Sequence, residues 1–250
     1  MRGIRALLPA LDNLEVEGLR LACRAFEPAG EARGAVLFIH GWGGAQDAND
    51  VRLARQLVAD GFRCLTFDLA GHGRSEGRAE DFTVAQFLAQ ALAAYDQLVT
   101  STPAYVCGSS FGAYLALLLS TQRPVAGLSL RVPANYPDDI FAGPPVAAYI
   151  ASHSPREWRS QAQGPAENRA LAALAAFSGP VQLLAAGRDE TIPCQTTENF
   201  ISAARPGALE YHLLAEATHT LYAIPAMRRE AYRLVRDWLL AQTGHSVVRA

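Results

Sequence analysis

The apolar positions of this chain change period several times. From Leu14 to Phe26 apolar and polar residues alternate, the period of a half-exposed strand, and the segment predicts an edge hairpin. Ala35-Val36-Leu37-Phe38-Ile39 is a continuous apolar run, as in a strand covered on both faces. Val51, Leu53, Ala54, Leu57 and Val58 then fall at helical spacing, and Gly61 stands where a helix would stop. Cys64-Leu65-Thr66-Phe67 predicts the next strand. A glycine-rich loop follows (Gly71, Gly73, Gly77), then a helix from about Thr83 to Val99, a strand over Ala104-Tyr105-Val106-Cys107, a helix over Ala113 to Leu119 and a strand from Val125 to Leu130. Strands alternating with helices predict a parallel sheet.

The alternation breaks between Val132 and Ser178. Prolines at 133, 137, 144, 145, 155 and 165 prevent a simple crossover helix and strand there, and the stretch, about 132–178, reads as an inserted lid in a single domain spanning 1–250. Regular alternation resumes with a strand from Val181 to Ala186, a helix from Thr197 to Ala204, a strand from Leu209 to Leu214 and an amphipathic helix from about Met227 to Leu240. Residues 243–250 read as a frayed tail. There is no internal repeat and no low-complexity segment.

Composition narrows the function classes. At 250 residues, half of them apolar, with a net charge of −2, the chain can bury roughly 70 to 75 percent of its unfolded surface. No basic or acidic block points to nucleic acid or a membrane surface. No stretch approaches the roughly 20 apolar residues of a membrane span. The segment Ile4 to Pro9 is too short and interrupted for an export signal, so a cytoplasmic location is expected. All 22 basic residues are arginine. The absence of lysine removes Ser-Lys dyads, Schiff-base chemistry, pyridoxal phosphate attachment and lysine-dependent phosphate loops. Cys23, Cys64, Cys107 and Cys194 are scattered singly with no C-x-x-C pair, so neither metal nor redox work is expected.

Against that background one turn stands out. Gly108-Ser109-Ser110-Phe111-Gly112 joins a predicted strand to a predicted helix, and a serine at the apex of such a turn is pushed out above the sheet, with small residues two positions either side letting the backbones pass. A five-residue pattern arises often by chance in a chain this rich in glycine and alanine; its context strengthens it. A serine hydroxyl needs a base and an orienting acid to act as a nucleophile. Of the six histidines, His219 follows the strand ending at Leu214 and lies at the rim where the C-terminal ends of parallel strands converge. His212 falls inside that strand, and His40 reads as a brace in its loop. Asp189, after Val181 to Ala186, stands at the same rim and is ranked ahead of Glu190, Asp138 and Asp139 as the acid that would fix the histidine's tautomer. For an oxyanion, the backbone N–H of Phe111 at the start of a helix and that of Trp42, in His40-Gly41-Trp42-Gly43-Gly44, are the expected donors.

With these residues in place the chain resembles the α/β-hydrolase superfamily from about Leu14 to Leu240. Four motifs stand in the family's order: the serine turn; His40-Gly41-Trp42-Gly43-Gly44, similar to H-G-x-G-G; Asp68-Leu69-Ala70-Gly71-His72-Gly73-Arg74-Ser75, similar to D-x-x-G-x-G-x-S; and Gly187-Arg188-Asp189-Glu190-Thr191-Ile192-Pro193, similar to the acid-bearing turn. The resemblance implies a mostly parallel, eight-stranded twisted sheet with helices on both faces and a short lid. It also implies a cofactor-free, metal-free serine hydrolase acting on a small-molecule ester, with Ser110, Asp189 and His219 as its triad. Ser110 argues against the dehalogenase-like and epoxide hydrolase-like members, which carry aspartate at the apex. Tyr136, Ile140, Phe141 and Trp158 are the expected substrate-binding residues, although packing of the lid against the sheet would use the same side chains. Arg156, Arg159 and Arg169 could receive a substrate carboxylate. Aminopeptidase or amidase action, drawing on Asp138, Asp139 or Glu157, thioesterase action and a catalytically silent binding protein remain as alternatives. Oligomeric state is open.

Overall fold

The computed structural model describes residues 13–45, 48–99, 103–153 and 155–244, so the N-terminal segment around Ile4 and the tail beyond residue 244, with His245, lie outside the described residues. The strands are β1 (Asn13–Val16), β2 (Leu19–Phe26), β3 (Gly34–Ile39), β4 (Phe62–Phe67), β5 (Ala104–Ser109), β6 (Gly127–Arg131), β7 (Val181–Ala186) and β8 (Leu209–Leu214). They form one sheet in the order β1-β2-β4-β3-β5-β6-β7-β8. β1 and β2 are the antiparallel hairpin that the alternation predicts; β2 pairs antiparallel with β4, and from there the sheet is parallel.

The helices are α1 (Ala48–Ala59), α2 (Val84–Leu98), α3 (Phe111–Ser120), α4 (Val146–Ser152), α5 (Pro155–Arg159), α6 (Arg169–Ala176), α7 (Cys194–Ala203) and α8 (Pro225–Gln242). They cover both faces of the sheet, which explains the continuous apolar runs. In β3, Ala35, Leu37 and Ile39 join the core under α2, α3, α6 and α7, while Val36 and Phe38 join the core under α1 and α8. β5 divides in the same way, with Ala104 and Val106 on one side and Tyr105 and Cys107 on the other. α2 starts where Thr83 allows it, in a reciprocal cap: Gln86 N–H donates to Thr83 Oγ1 at 3.3 Å and Thr83 N–H donates to Gln86 Oε1 at 3.0 Å. Among the described residues no helix is long and apolar enough to cross a membrane.

Between β6 and β7 the chain is irregular, as the prolines require, but not throughout. A single helical turn at Asp138–Ile140 and the short α4 and α5 precede α6, whose Leu171 and Leu174 are buried in the same core as α3. Residues 169–176 therefore belong to the layer flanking the sheet, and the excursion from it is shorter than the 132–178 stretch singled out by proline content. Asn168 caps α6, accepting from the Ala170 and Leu171 amides.

The order of strands fixes where a site can form. After β3 the chain turns to β4 on one side, and α2 then carries it across to β5 on the other. A crevice opens at the C-terminal ends of β3 and β5 where the winding reverses. The loops that follow these two strands are His40 to Gly44 and the Ser110 turn.

Candidate active site

Ser110 sits at φ 51° and ψ −113°, a left-handed conformation that a residue with a side chain rarely adopts. Its surroundings hold it there. Ser110 N–H donates to the Arg131 carbonyl at 2.9 Å, and Ala134 N–H donates to the Ser110 carbonyl at 3.2 Å. The glycines on either side are needed for space. A Cβ on Gly108 would lie 2.4 Å from the Gly112 carbonyl oxygen, and one on Gly112 would lie 2.1 Å from that of Ile39. The turn throws the serine side chain off the end of β5, toward the loops carrying Asp189 and His219.

His219 Nε2 lies 3.1 Å from Ser110 Oγ, and its Nδ1 lies 2.9 Å from Asp189 Oδ2. The second carboxylate oxygen, Oδ1, accepts from the Thr191 amide at 2.9 Å and the Ile192 amide at 2.7 Å, so the turn after β7 fixes the acid's orientation. Asp189 is nearly buried and His219 is about one-fifth exposed. Glu190 does not share this place: its Oε2 accepts from the His219 backbone N–H at 3.2 Å, bracing the loop. His212 stays on β8, its Nε2 2.6 Å from Glu210 Oε1, and Asp138 is engaged with Arg169.

The amide of Phe111 opens α3, where no intrahelical acceptor exists for it and the positive end of the helix dipole lies. The peptide joining Gly41 to Trp42 runs beside Ser110, close enough that a Cβ on Gly41 would stand 3.2 Å from Ser110 Cβ. Two buried histidines hold this loop. His40 Nε2 accepts from the Leu69 amide at 3.0 Å and His72 Nε2 accepts from the Gly43 amide at 3.2 Å, while their Nδ1–H groups point at the carbonyls of Gly41 and Ala70. Both rings are thus neutral Nδ1–H tautomers, stitched between two loops with centroids 5.2 Å apart. Burial lowers the His40 pKa below its ordinary value. The Trp42 ring packs edge-on against His72, Phe87 and Phe111, which anchors the loop from His40 to Gly44 to the core.

Residues 36–249 match the sequence profile described as the alpha/beta hydrolase family. The chain is a member of that family. Among this hydrolase's relatives, an uncharacterised protein of Mycobacterium tuberculosis is 29% identical over 212 residues, covering 80% of this chain and 69% of that protein. Human monoglyceride lipase is 31% identical over 134 residues, half of this chain and 43% of the lipase. In solved structures, Est1E from Butyrivibrio proteoclasticus with ferulic acid bound superposes with a TM-score of 0.73 at 18% identity, covering 94% of this chain and all of that one. A monoacylglycerol lipase from Paleococcus ferrophilus gives 0.69 at 17% identity, covering 89% and 99%. At these identities the structural likeness establishes the fold.

Of the four lid residues expected to bind substrate in this hydrolase, Tyr136 and Ile140 are buried and Phe141 and Trp158 are half-buried. Ile140 is fully buried, and Tyr136 is 3% exposed, wedged edge-on against Phe111 with the Arg159 guanidinium 4.6 Å above its ring. Phe141 is covered by Arg169 at 4.1 Å. Trp158 is half-buried and its carbonyl accepts from Gln163. In this conformation Ile140 has no surface to offer a ligand and Tyr136 packs on α3, while Phe141 and Trp158 keep part of theirs. The arginines are likewise occupied: Arg159 Nε donates to the Asn135 carbonyl at 2.9 Å, and Arg156 donates to the Glu190 carbonyl at 2.6 Å. Among the described residues no group of three or more His, Cys, Asp or Glu could hold a metal ion.

Arg131 escaped the sequence reading. It ends β6 with its side chain 1% exposed, and its Nη1 donates to Asp50 Oδ1 at 2.6 Å and to the Tyr222 hydroxyl. Burial opposes its charge, and Asp50 and Tyr222 more than offset that. Its backbone carbonyl holds the Ser110 amide, and Tyr222 belongs to the turn that follows His219, where Leu221 N–H donates to the His219 carbonyl. One residue thus grips the Ser110 turn through its main chain and the His219 loop through its side chain. In the sequence it lies just past the predicted strand from Val125 to Leu130, with no local pattern to mark it.

Proposed function

We propose that this hydrolase cleaves small carboxylic esters through an acyl-enzyme on Ser110. The observation that carries the reading is the continuous relay from Ser110 Oγ through His219 to Asp189, at 3.1 Å and 2.9 Å. As Ser110 Oγ attacks the ester carbonyl carbon, its proton passes to His219 Nε2. Asp189 keeps the ring in the tautomer with Nδ1–H facing the carboxylate and stabilises the imidazolium. The carbonyl oxygen takes up negative charge against the Phe111 and Trp42 amides, each such donor typically contributing about 3 to 4 kcal/mol. Collapse of the tetrahedral adduct breaks the bond to the leaving alkoxide, which receives the proton from His219. Water, deprotonated by the same nitrogen, then attacks the acyl carbon and releases the acid and the free serine.

The comparisons lend support of a coarser kind: the family is one of hydrolases, and the relatives include a monoglyceride lipase. Amidase or aminopeptidase action has less in its favour, because Asp138, one of the acids that could hold a substrate ammonium, is paired with Arg169. The test is labelling by a fluorophosphonate together with turnover of aryl esters, acyl thioesters and amino-acyl anilides. Ester turnover with label on Ser110, both lost in Ser110→Ala, is expected. In Asp189→Asn the turnover number should fall by about 10⁴-fold, since the histidine would then hold the wrong tautomer. Undiminished ester hydrolysis by Ser110→Ala would overturn the reading, and preference for the anilides would replace the substrate class.

A further inference from the structure

The sheet ends on β8 with one side of that strand unpaired. β8 pairs with β7 without interruption from Val181↔Leu209 to Ala186↔Leu214, and among the described residues no strand lies beyond it. Natural edges are blunted by lysine, proline, a bulge or an overlying segment. Leu209–Leu214 contains neither lysine nor proline, and its ladder has no bulge. The chain's own course leads away from this edge: Asn13 opens the strand at the opposite end of the sheet, and α8 runs from β8 toward α1, where Arg236 pairs with Asp60 at 2.6 Å.

Exposed apolar side chains concentrate here as well. Leu213 is 56% exposed and Tyr211 41%, and among the described residues the other two large exposed apolar residues are Ile201, on the helix covering the face that Leu209 joins, and Ile224, at the entry to α8. Strand alternation puts Leu209, Tyr211 and Leu213 on one face and Glu210 and His212 on the other. Centred on Tyr211, this sequence has the same apolar–polar pattern in both directions, with an acid on one side and a base on the other: Leu, Glu, Tyr, His, Leu.

We propose that a second copy of this chain adds antiparallel to this edge, with Tyr211 on the two-fold axis, joining two eight-stranded sheets into one. In that register Leu209 lies opposite the other copy's Leu213 on the apolar face, and Tyr211 meets its own counterpart. On the other face Glu210 lies opposite His212, each pairing occurring twice by symmetry. The arrangement selects its own register. Moving the axis to Glu210 sets the two Glu210 carboxylates against each other, and moving it to His212 does the same to the imidazoles; like groups directly opposite are unfavourable.

The test uses the full chain in size-exclusion chromatography with light scattering across a micromolar dilution series. Twice the chain mass is expected for the wild type, and the single-chain mass for Tyr211→Lys combined with Leu213→Lys. Both substitutions lie on exposed positions, and circular dichroism would verify that the monomer is folded. The register has its own readout. In a Cys194→Ser background, which removes the one exposed cysteine, Tyr211→Cys should form a disulfide-linked dimer on mild oxidation. Opposed residues of antiparallel strands have Cα atoms about 4.5 to 5.5 Å apart, within the range a disulfide spans. Glu210→Cys in the same background should not crosslink to itself, because the two copies of residue 210 lie diagonally, beyond about 7 Å. A wild type that stays monomeric at every concentration, a dimer that survives the double lysine substitution, or equal crosslinking at 210 and 211 would each overturn the proposal.

Discussion

Replacing Ser110 with glycine should make the protein inactive and more stable than replacing it with alanine. The comparison isolates the backbone, because both variants lack the hydroxyl and its contact with His219. At φ 51° and ψ −113° the position lies in a region where a Cβ is strained, at a cost of order 1 to 3 kcal/mol. Alanine keeps that strain and glycine sheds it. Against the gain stands the extra freedom of glycine in the unfolded chain, about 0.4 to 1 kcal/mol, and the loss of a half-buried carbon. The balance favours glycine by about 1 kcal/mol, which for a domain of this length corresponds to roughly 2 to 4 °C in midpoint. Thermal unfolding followed by circular dichroism, with urea midpoints alongside, resolves such a difference. A glycine variant no more stable than the alanine variant would show that the turn stores no strain, and that its geometry arises from packing that any residue could share.

Three further outcomes follow from the same contacts. Gly112→Ala places a methyl group 2.1 Å from the Ile39 carbonyl oxygen, a backbone atom that cannot swing aside; the loss of stability should reach the upper end of the roughly 1 to 3 kcal/mol usual for overpacking, read from urea midpoints. Because burial holds His40 neutral below its ordinary pKa of 6.5, the unfolded chain binds a proton that the folded one refuses. Stability should therefore be fully present above pH 6.5 and fall as the pH drops toward the folded value, and His40→Gln should flatten that slope in unfolding experiments at several pH values. Tyr222→Phe removes one acceptor from the buried Arg131 guanidinium, and a loss of about 1.5 to 3 kcal/mol is expected. Since Tyr222 lies in the loop that carries His219, the turnover number should fall with KM little changed, and an unaltered turnover number would separate the network from positioning of the histidine.

What the sequence made legible is what local backbone chemistry demands. A serine lifted off a strand end needs small neighbours two positions away, and the spacing of Gly108 and Gly112 records that need; the clashes a Cβ would meet there explain it. Asp189 and His219 could be placed beside Ser110 because parallel strands deliver their C-terminal loops to one rim, so position in the alternation substitutes for distance. The features that stayed hidden depend on partners far apart in the chain. Arg131 meets Asp50 and Tyr222 across separations of 81 and 91 residues, and no local pattern encodes that meeting. The lid was opaque for a related reason: Tyr136, Ile140 and Phe141 are apolar whether they line a pocket or seal the lid to the sheet. In the structure Phe111 and Arg159 lie against Tyr136, and Arg169 lies over Phe141. Arg159 is buried against the Tyr136 ring, and Arg169 lies over Phe141 while keeping part of its surface in solvent. The lid is thus tied to itself by Arg159 against Tyr136 and Asn135 and to α6 by Arg169 against Phe141, and the room left around Ser110 counts for more in selecting a substrate than the lid's apolar composition.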